Sequence, residues 1–239
     1  MPGQENPFLF EDDGPRWPTS KPKDAASLIL VQRGKHATRV LMGERHRKHA
    51  FLPGRFVFPG GGVDIGDLRV AIPTDLRPEI RSKVAVGSSL KRARGLALAA
   101  IRETFEETGY LVGERKDALP GTRSAIWRRF FSHGVIPKLE TLDFVARAIT
   151  PPGRPRRFDA RFFLADAEDI AETLDPTAAS GELLKPLWLT FTEARAAEIL
   201  PITRCILDEV EARLADGPDP GRPVPFFIPR RGRAVIVSL

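Results

Sequence analysis

The chain has 239 residues, 42% of them hydrophobic, enough for one sizeable α/β domain with insertions, and its 37 Lys and Arg against 31 Asp and Glu give a net charge of +6. The single Cys205 excludes an intramolecular disulfide framework, His36, His46, His49 and His133 stand in no zinc spacing, and no stretch approaches the ~20 apolar residues of a membrane span. The positive balance suits an anionic partner but does not choose between a small phosphate ester and nucleic acid.

Residues 1–22 read as an irregular arm, Pro-rich and acidic in its middle, without the basic start and apolar run of a signal peptide. A soluble cytoplasmic protein is expected. The main domain is expected over residues 23–216. Its first elements are the apolar run Ala26 to Gln32 and a second, Arg39 to Arg45, joined by the turn-like Arg33-Gly34-Lys35-His36 into a hairpin. Phe51-Leu52-Pro53-Gly54 then leads into a short strand, Arg55 to Phe58, which delivers Gly60, Gly61 and Gly62. Three glycines after Pro59 let the backbone approach a ligand closely.

Residues 68–95 contain Pro73 and Pro78, and a short helix starting at Pro78 is expected. Arg69, Arg77, Arg81, Lys83, Lys91, Arg92 and Arg94 outnumber the acids there, which suits either a solvated loop or a cover over a polyanion. Ser88 or Ser89 is a candidate N-cap for the next helix. In that helix Ala97, Ala100, Ile101, Thr104 and Thr108 recur at three- and four-residue steps and form one small apolar stripe, ending at Gly109. Arg102, Glu103, Glu106 and Glu107 project away from the stripe. Like charges at these spacings repel by a few tenths of a kcal/mol per pair, and they face the negative end of the helix dipole. A divalent cation such as Mg²⁺, completed by substrate phosphates, would turn that penalty into a binding site.

Further on, a helix is expected around Ala125 to Phe131, strands at Leu139 to Ile149 and Phe158 to Ala165, and a turn at Thr150-Pro151-Pro152-Gly153. Trp127 to Phe131 and Arg154 to Phe163 mix cations with aromatics, as single-strand nucleic-acid binders do. In the second stretch, however, Arg157, Asp159 and Arg161 alternate with Phe158, Ala160 and Phe162, the pattern of a strand burying one face, so nucleic acid is not favoured. Arg157 and Arg161 suit phosphate contacts or pairing with Asp159. Glu182 precedes a run from Leu183 to Trp188, and Thr192 to Ile199 begins a last pair of helices ending near Asp216. The tail, residues 217–239, opens as a Pro/Gly linker and closes on the apolar run Ala234 to Leu239. That run suits a sheet edge of its own chain or of a second subunit, so monomer and homodimer both stay open.

Two of these pieces together resemble the signature of the Nudix hydrolase family: a glycine, five residues, an acid, seven residues, then Arg-Glu-x-x-Glu-Glu-x-Gly. Gly61 and Asp67 match the first part, with Asp for the usual Glu, and Arg102 to Gly109 matches the second. The 34 residues from 68 to 101 stand where the family has seven, an insertion of 27 (34 less seven). The run from Phe51 to Asp64 and the segment Pro155 to Asp166 resemble a subgroup with such insertions that is associated with coenzyme A and related diphosphates. The resemblance implies an α/β/α sandwich with a mixed sheet. It also implies Mg²⁺- or Mn²⁺-dependent hydrolysis of a nucleoside diphosphate linked to another moiety: coenzyme A or an acyl-CoA, ADP-ribose, or a dinucleotide. The implied metal ligands are Glu103, Glu106, Glu107 and Asp67. Arg102 is implied to orient the acids, with one of the glutamates or Glu182 as general base. Gly60, Gly61, Gly62, Arg45, Arg157 and Arg161 are candidate substrate-binding residues. A non-catalytic nucleotide-sensing domain on the same fold is the alternative, disfavoured by retention of the acids.

Overall fold

The computed structural model describes residues 5–6, 18, 20–45, 54–175, 183–230 and 233–239. After a short strand β1 (Glu5–Asn6), strand β2 (Lys23–Arg33) turns back into β3 (Thr38–Arg45), antiparallel with Val31 opposite Val40. Leu28 and Leu30 on one face of β2, and Ile29 and Val31 on the other, are all buried, which is the mark of a strand covered on both sides. Strand β4 (Phe56–Val57) adds to β3, and β5 (Gly60–Gly62) adds to β2 opposite Ala25 to Ser27. The glycine run is therefore a strand and not the loop expected. Its composition has a packing cause: a Cβ on Gly60 would lie 2.3 Å from the Ser27 hydroxyl, and one on Gly61 2.5 Å from the Glu103 carboxyl carbon.

Helix α1 (Pro78–Val84) starts at Pro78 and buries Ile80 and Val84. Helix α2 (Leu90–Thr108) is capped by Ser89, whose hydroxyl accepts the Arg92 N–H at 3.2 Å, and stops at Gly109, where φ is 76°. Its apolar residues do not form one stripe. Leu96 through Ile101 are all fully buried, because the sheet covers one side of the helix while α1 and a later helix, α3 (Ala125–Phe131), cover the others. The insertion is part of this packing. Val70, Leu76, Ile80 and Val84 join the core, and five of its seven basic side chains turn back on the protein, while Arg69 and Lys91 are exposed. Arg77 pairs with Asp143, Arg81 with Asp75 and Arg92 with Asp24. Lys83 donates to the Pro220 and Arg222 carbonyls, and Arg94 to those of Val70 and Ile72.

Strands β6 (Tyr110–Val112), β7 (Glu114–Arg115) and β8 (Val135–Ile136) flank α3, and a 3₁₀ turn at Leu139–Thr141 precedes β9 (Asp143–Ile149), shorter than the strand expected there. Then come β10 (Phe158–Asp166), β11 (Ile170–Thr173), β12 (Leu183–Thr190), helices α4 (Phe191–Ala196) and α5 (Pro201–Asp216), and strands β13 (Pro225–Arg230) and β14 (Arg233–Ser238). Among the described residues the main sheet runs β1-β14-β13-β9-β10-β2-β3-β12. The β10–β2 and β13–β9 pairs are parallel and the others antiparallel. With α2 on one face and α5 on the other, this is a mixed α/β/α architecture built on two core clusters.

The chain ends join this sheet. Strand β13 lies beside β9 through Phe226 and Phe227, and β14 pairs with both β13 and β1. The apolar tail thus finds an edge of its own chain, and residues 217–239 extend the main domain. Strand β10 also differs from a strand with one buried face, since Arg161 on the polar side is only 1% exposed. Among the described residues no helix is long and apolar enough to cross a membrane.

Candidate active site

Arg102 organises the end of α2. Its side chain is 3% exposed; Nε donates to Asp67 Oδ1 at 2.9 Å, Nη2 to Asp67 Oδ2 at 3.1 Å and to the Gly62 carbonyl at 2.7 Å. Nη1 reaches forward to Glu103 Oε1 at 2.8 Å and Glu106 Oε2 at 3.0 Å. The guanidinium fork, with its fixed donor directions, ties the glycine strand, the acid before the insertion and two acids of the helix into one unit. Burial works against its charge, but the Asp67 hydrogen bond and the surrounding carboxylates outweigh this and hold its pKa above the usual range. Arg102 and Glu107, 2% exposed, therefore do not project away from the packed helix; both are inside.

Asp67, expected as a metal ligand, has a different place. It is wholly buried, with Oδ1 accepting from Arg102 and from Trp127 Nε1 at 2.9 Å, and Oδ2 accepting from Arg102 and the Asp64 N–H. Both oxygens are held by donors, so Asp67 anchors Arg102. Neither Trp127 as a partner of Asp67 nor the Gly62 carbonyl as a partner of Arg102 was expected from the sequence. A buried Trp needs an acceptor for its N–H, the one general signal that pointed to Trp127.

Two of the three glutamates meet β5, and Glu106 shares Arg102 with Glu103. Glu107 Oε2 accepts the Gly60 N–H at 2.9 Å, and Glu103 lies against Gly61. Burial raises the Glu103 carboxyl to about 7 against the pull of Arg102, and Glu106 is likewise shifted upward by burial. A carboxylate held in its unfavourable charged form gains most from a cation. The donors are hard oxygens that suit Mg²⁺ or Mn²⁺. In this arrangement Glu103 and Glu106 lean on Arg102, and among the described residues no three acids stand as a ready coordination set. The donor set fits the metal chemically, and Glu103, Glu106 and Glu107 are the residues that would hold it.

The remaining candidates are dispersed. Arg161 is paired with Asp24 at 2.9 Å and with Asp159 at 3.1 Å, within a chain of charges that includes Arg92 and Arg147. Arg157 donates to the Thr150 and Ser20 carbonyls and clasps the turn before β10 to the start of β2. Those contacts account for both cations without a ligand. Glu182 lies outside the described residues. Arg45, Gly60 and Gly61 share a cleft of about 230 Å³ on the opposite side of β5 from α2, with Phe158 and Phe162 in its walls. No residue of the insertion lines it.

A glycine strand against Arg-braced glutamates on a helix, in an α/β/α frame, resembles the arrangement that the signature led one to expect. No family model matches the chain. It is 31% identical over 163 residues to a Caenorhabditis elegans protein named “Putative nudix hydrolase 7”, covering 63% of this chain and 46% of that one, so the chain spans about half the length of this curated relative. A crystal structure of a Nudix hydrolase from Alicyclobacillus acidocaldarius superposes with a TM-score of 0.62 and 25% identity, over 83% of this chain and 99% of that one. The chain is thus similar to Nudix hydrolases in sequence and in fold.

Proposed function

We infer that the protein is a metal-dependent hydrolase of the diphosphate bond in a nucleoside diphosphate linked to another moiety. The observation that carries this reading is that Glu107 and Glu103 lie against the Gly60–Gly61 backbone while Arg102 ties Glu106 to Glu103. Without side chains the strand lets the acids of the helix come up against its backbone. A bound Mg²⁺ or Mn²⁺ would supply charge neutralisation on the leaving phosphate and a more acidic water. The protein's own part is positional. Arg102 fixes Glu103 and Glu106, the Gly60 N–H fixes Glu107, and Asp67 with Trp127 fixes Arg102.

The moiety beyond the diphosphate is narrowed by the cleft, whose lining is largely apolar. The insertion gives little support to coenzyme A, since five of its seven cations, all but Arg69 and Lys91, are engaged within the protein. The test is a metal-supplemented screen of coenzyme A, an acyl-CoA, ADP-ribose and dinucleotides with identification of both products. Cleavage of a diphosphate bond that disappears with chelator is the expected result. Tight nucleotide binding with no turnover of any of them would replace this reading by a nucleotide-sensing domain.

A further inference from the structure

Beyond the acids beside Gly61, the cleft on the other side of β5 holds polar groups for which that chemistry has no use. Helix α5 opens into this cleft, and Leu200, Pro201, Ile202 and Thr203 form part of its wall. The first turn is uncapped: Leu200 at the N-cap offers no side-chain acceptor and Pro201 carries no N–H. The N–H groups of Ile202 and Thr203 are thus left without an acceptor among the described residues. They sit at the positive end of a helix of 16 residues.

A side chain adds an independent indication. Thr203 is only 7% exposed, yet it lines the cleft, and its hydroxyl has no hydrogen-bond partner among the described residues. The hydroxyl is open to the cleft on an otherwise buried residue, so it is a donor that a ligand entering the cleft can use. The charge of the wall agrees. Arg45 and Arg154 line the cleft, and none of its described lining residues is Asp or Glu. Two N–H donors and a hydroxyl at a helix N-terminus suit a tetrahedral oxyanion with several acceptor oxygens.

We propose that the N-terminus of α5, with the Thr203 hydroxyl, is an anion subsite for a phosphate group of the substrate other than the one attacked beside Glu103. The word substrate here rests on the hydrolase reading; the binding itself does not. The subsite would select nucleotides whose apolar body fills the cleft beside Phe158 and Phe162 and which carry a phosphate to its end.

The experiment titrates inorganic phosphate, and separately acetate, into the full chain in the presence of EDTA while following the amide signals of Ile202 and Thr203 by NMR. Phosphate is expected to shift both signals saturably. Thr203→Val should weaken it about tenfold, the loss of one hydrogen bond to a charged group, and Thr203→Ser should restore it. Glu107→Gln should leave it unchanged. Unmoved amides, or wild-type affinity in Thr203→Val, would overturn the subsite, and acetate binding as tightly as phosphate would overturn its assignment to phosphate. Because no turnover is needed, persistent phosphate binding in a protein that cleaves no diphosphate would sink the hydrolase reading alone. Diphosphate cleavage without phosphate binding would sink the subsite alone.

Discussion

Glu103 carries a stability cost that can be measured. Its carboxyl has a pKa of about 7 in the fold against 4.5 for the free group, chiefly because it is buried. The folded state therefore holds the proton more tightly than the unfolded chain. With more protons bound in the native state, stability falls as pH rises, so this group's contribution is intact below about 4.5 and lost as pH passes through about 7. At ~1.4 kcal/mol for each tenfold change, the loss reaches about 3 kcal/mol, a large share of the 5–15 kcal/mol that holds a typical domain together. Glu103→Gln keeps the shape and removes the ionisation. Urea denaturation in EDTA from pH 5 to 8.5 should show the variant and wild type equal near pH 5 and the variant more stable by up to ~3 kcal/mol near pH 8. Adding Mg²⁺ at pH 8 should narrow the gap by stabilising the wild type through binding. A difference that does not change with pH, or a wild type more stable than the variant at pH 8 in EDTA, would refute the burial argument.

Three further outcomes follow from the same contacts. Glu107→Gln should fold normally, because an amide oxygen can still accept the Gly60 N–H, while diphosphatase activity at saturating Mg²⁺ falls ~10²–10⁴-fold; near wild-type turnover would remove Glu107 from the site. Asp67→Asn leaves the buried Arg102 without its main counter-charge and should lower stability by ~3–5 kcal/mol even in EDTA, whereas a residue that only ligated metal would not affect the metal-free fold. Deleting residues 225–239 strips β13 from the edge of β9, exposes the surface under Phe227 and removes Phe226, whose ring lies 4.2 Å from the Arg147 guanidinium. Burial of the two aromatics alone is worth ~3 kcal/mol or more, so the melting temperature should drop by several degrees, and an unchanged melt would contradict the docking seen here.

Much of the fold was legible because its signals are local. Pro78 at the start of α1, Ser89 and Gly109 at the two ends of α2, and the hairpin of β2 and β3 each depend on a few neighbouring residues whose backbone preferences agree with their place. The run Arg102 to Gly109 likewise carried its chemistry in its spacing, since a helix puts residues three and four apart side by side. What the sequence could not determine was which partner each charge would meet. Asp67 and Arg102 are separated by an insertion whose length says nothing about where its ends lie, and only the packing of Val70, Leu76 and Ile80 against α2 brings them to 2.9 Å. Arg157 and Arg161 look alike in sequence; only tertiary structure shows their protein partners, Asp24 and Asp159 for Arg161 and the Thr150 carbonyl for Arg157. The same holds for the tail, where an apolar alternating run identifies a strand but not its partner. Side-chain period is a property of the segment itself, whereas pairing is settled by which edge the rest of the fold leaves open, here that of β9.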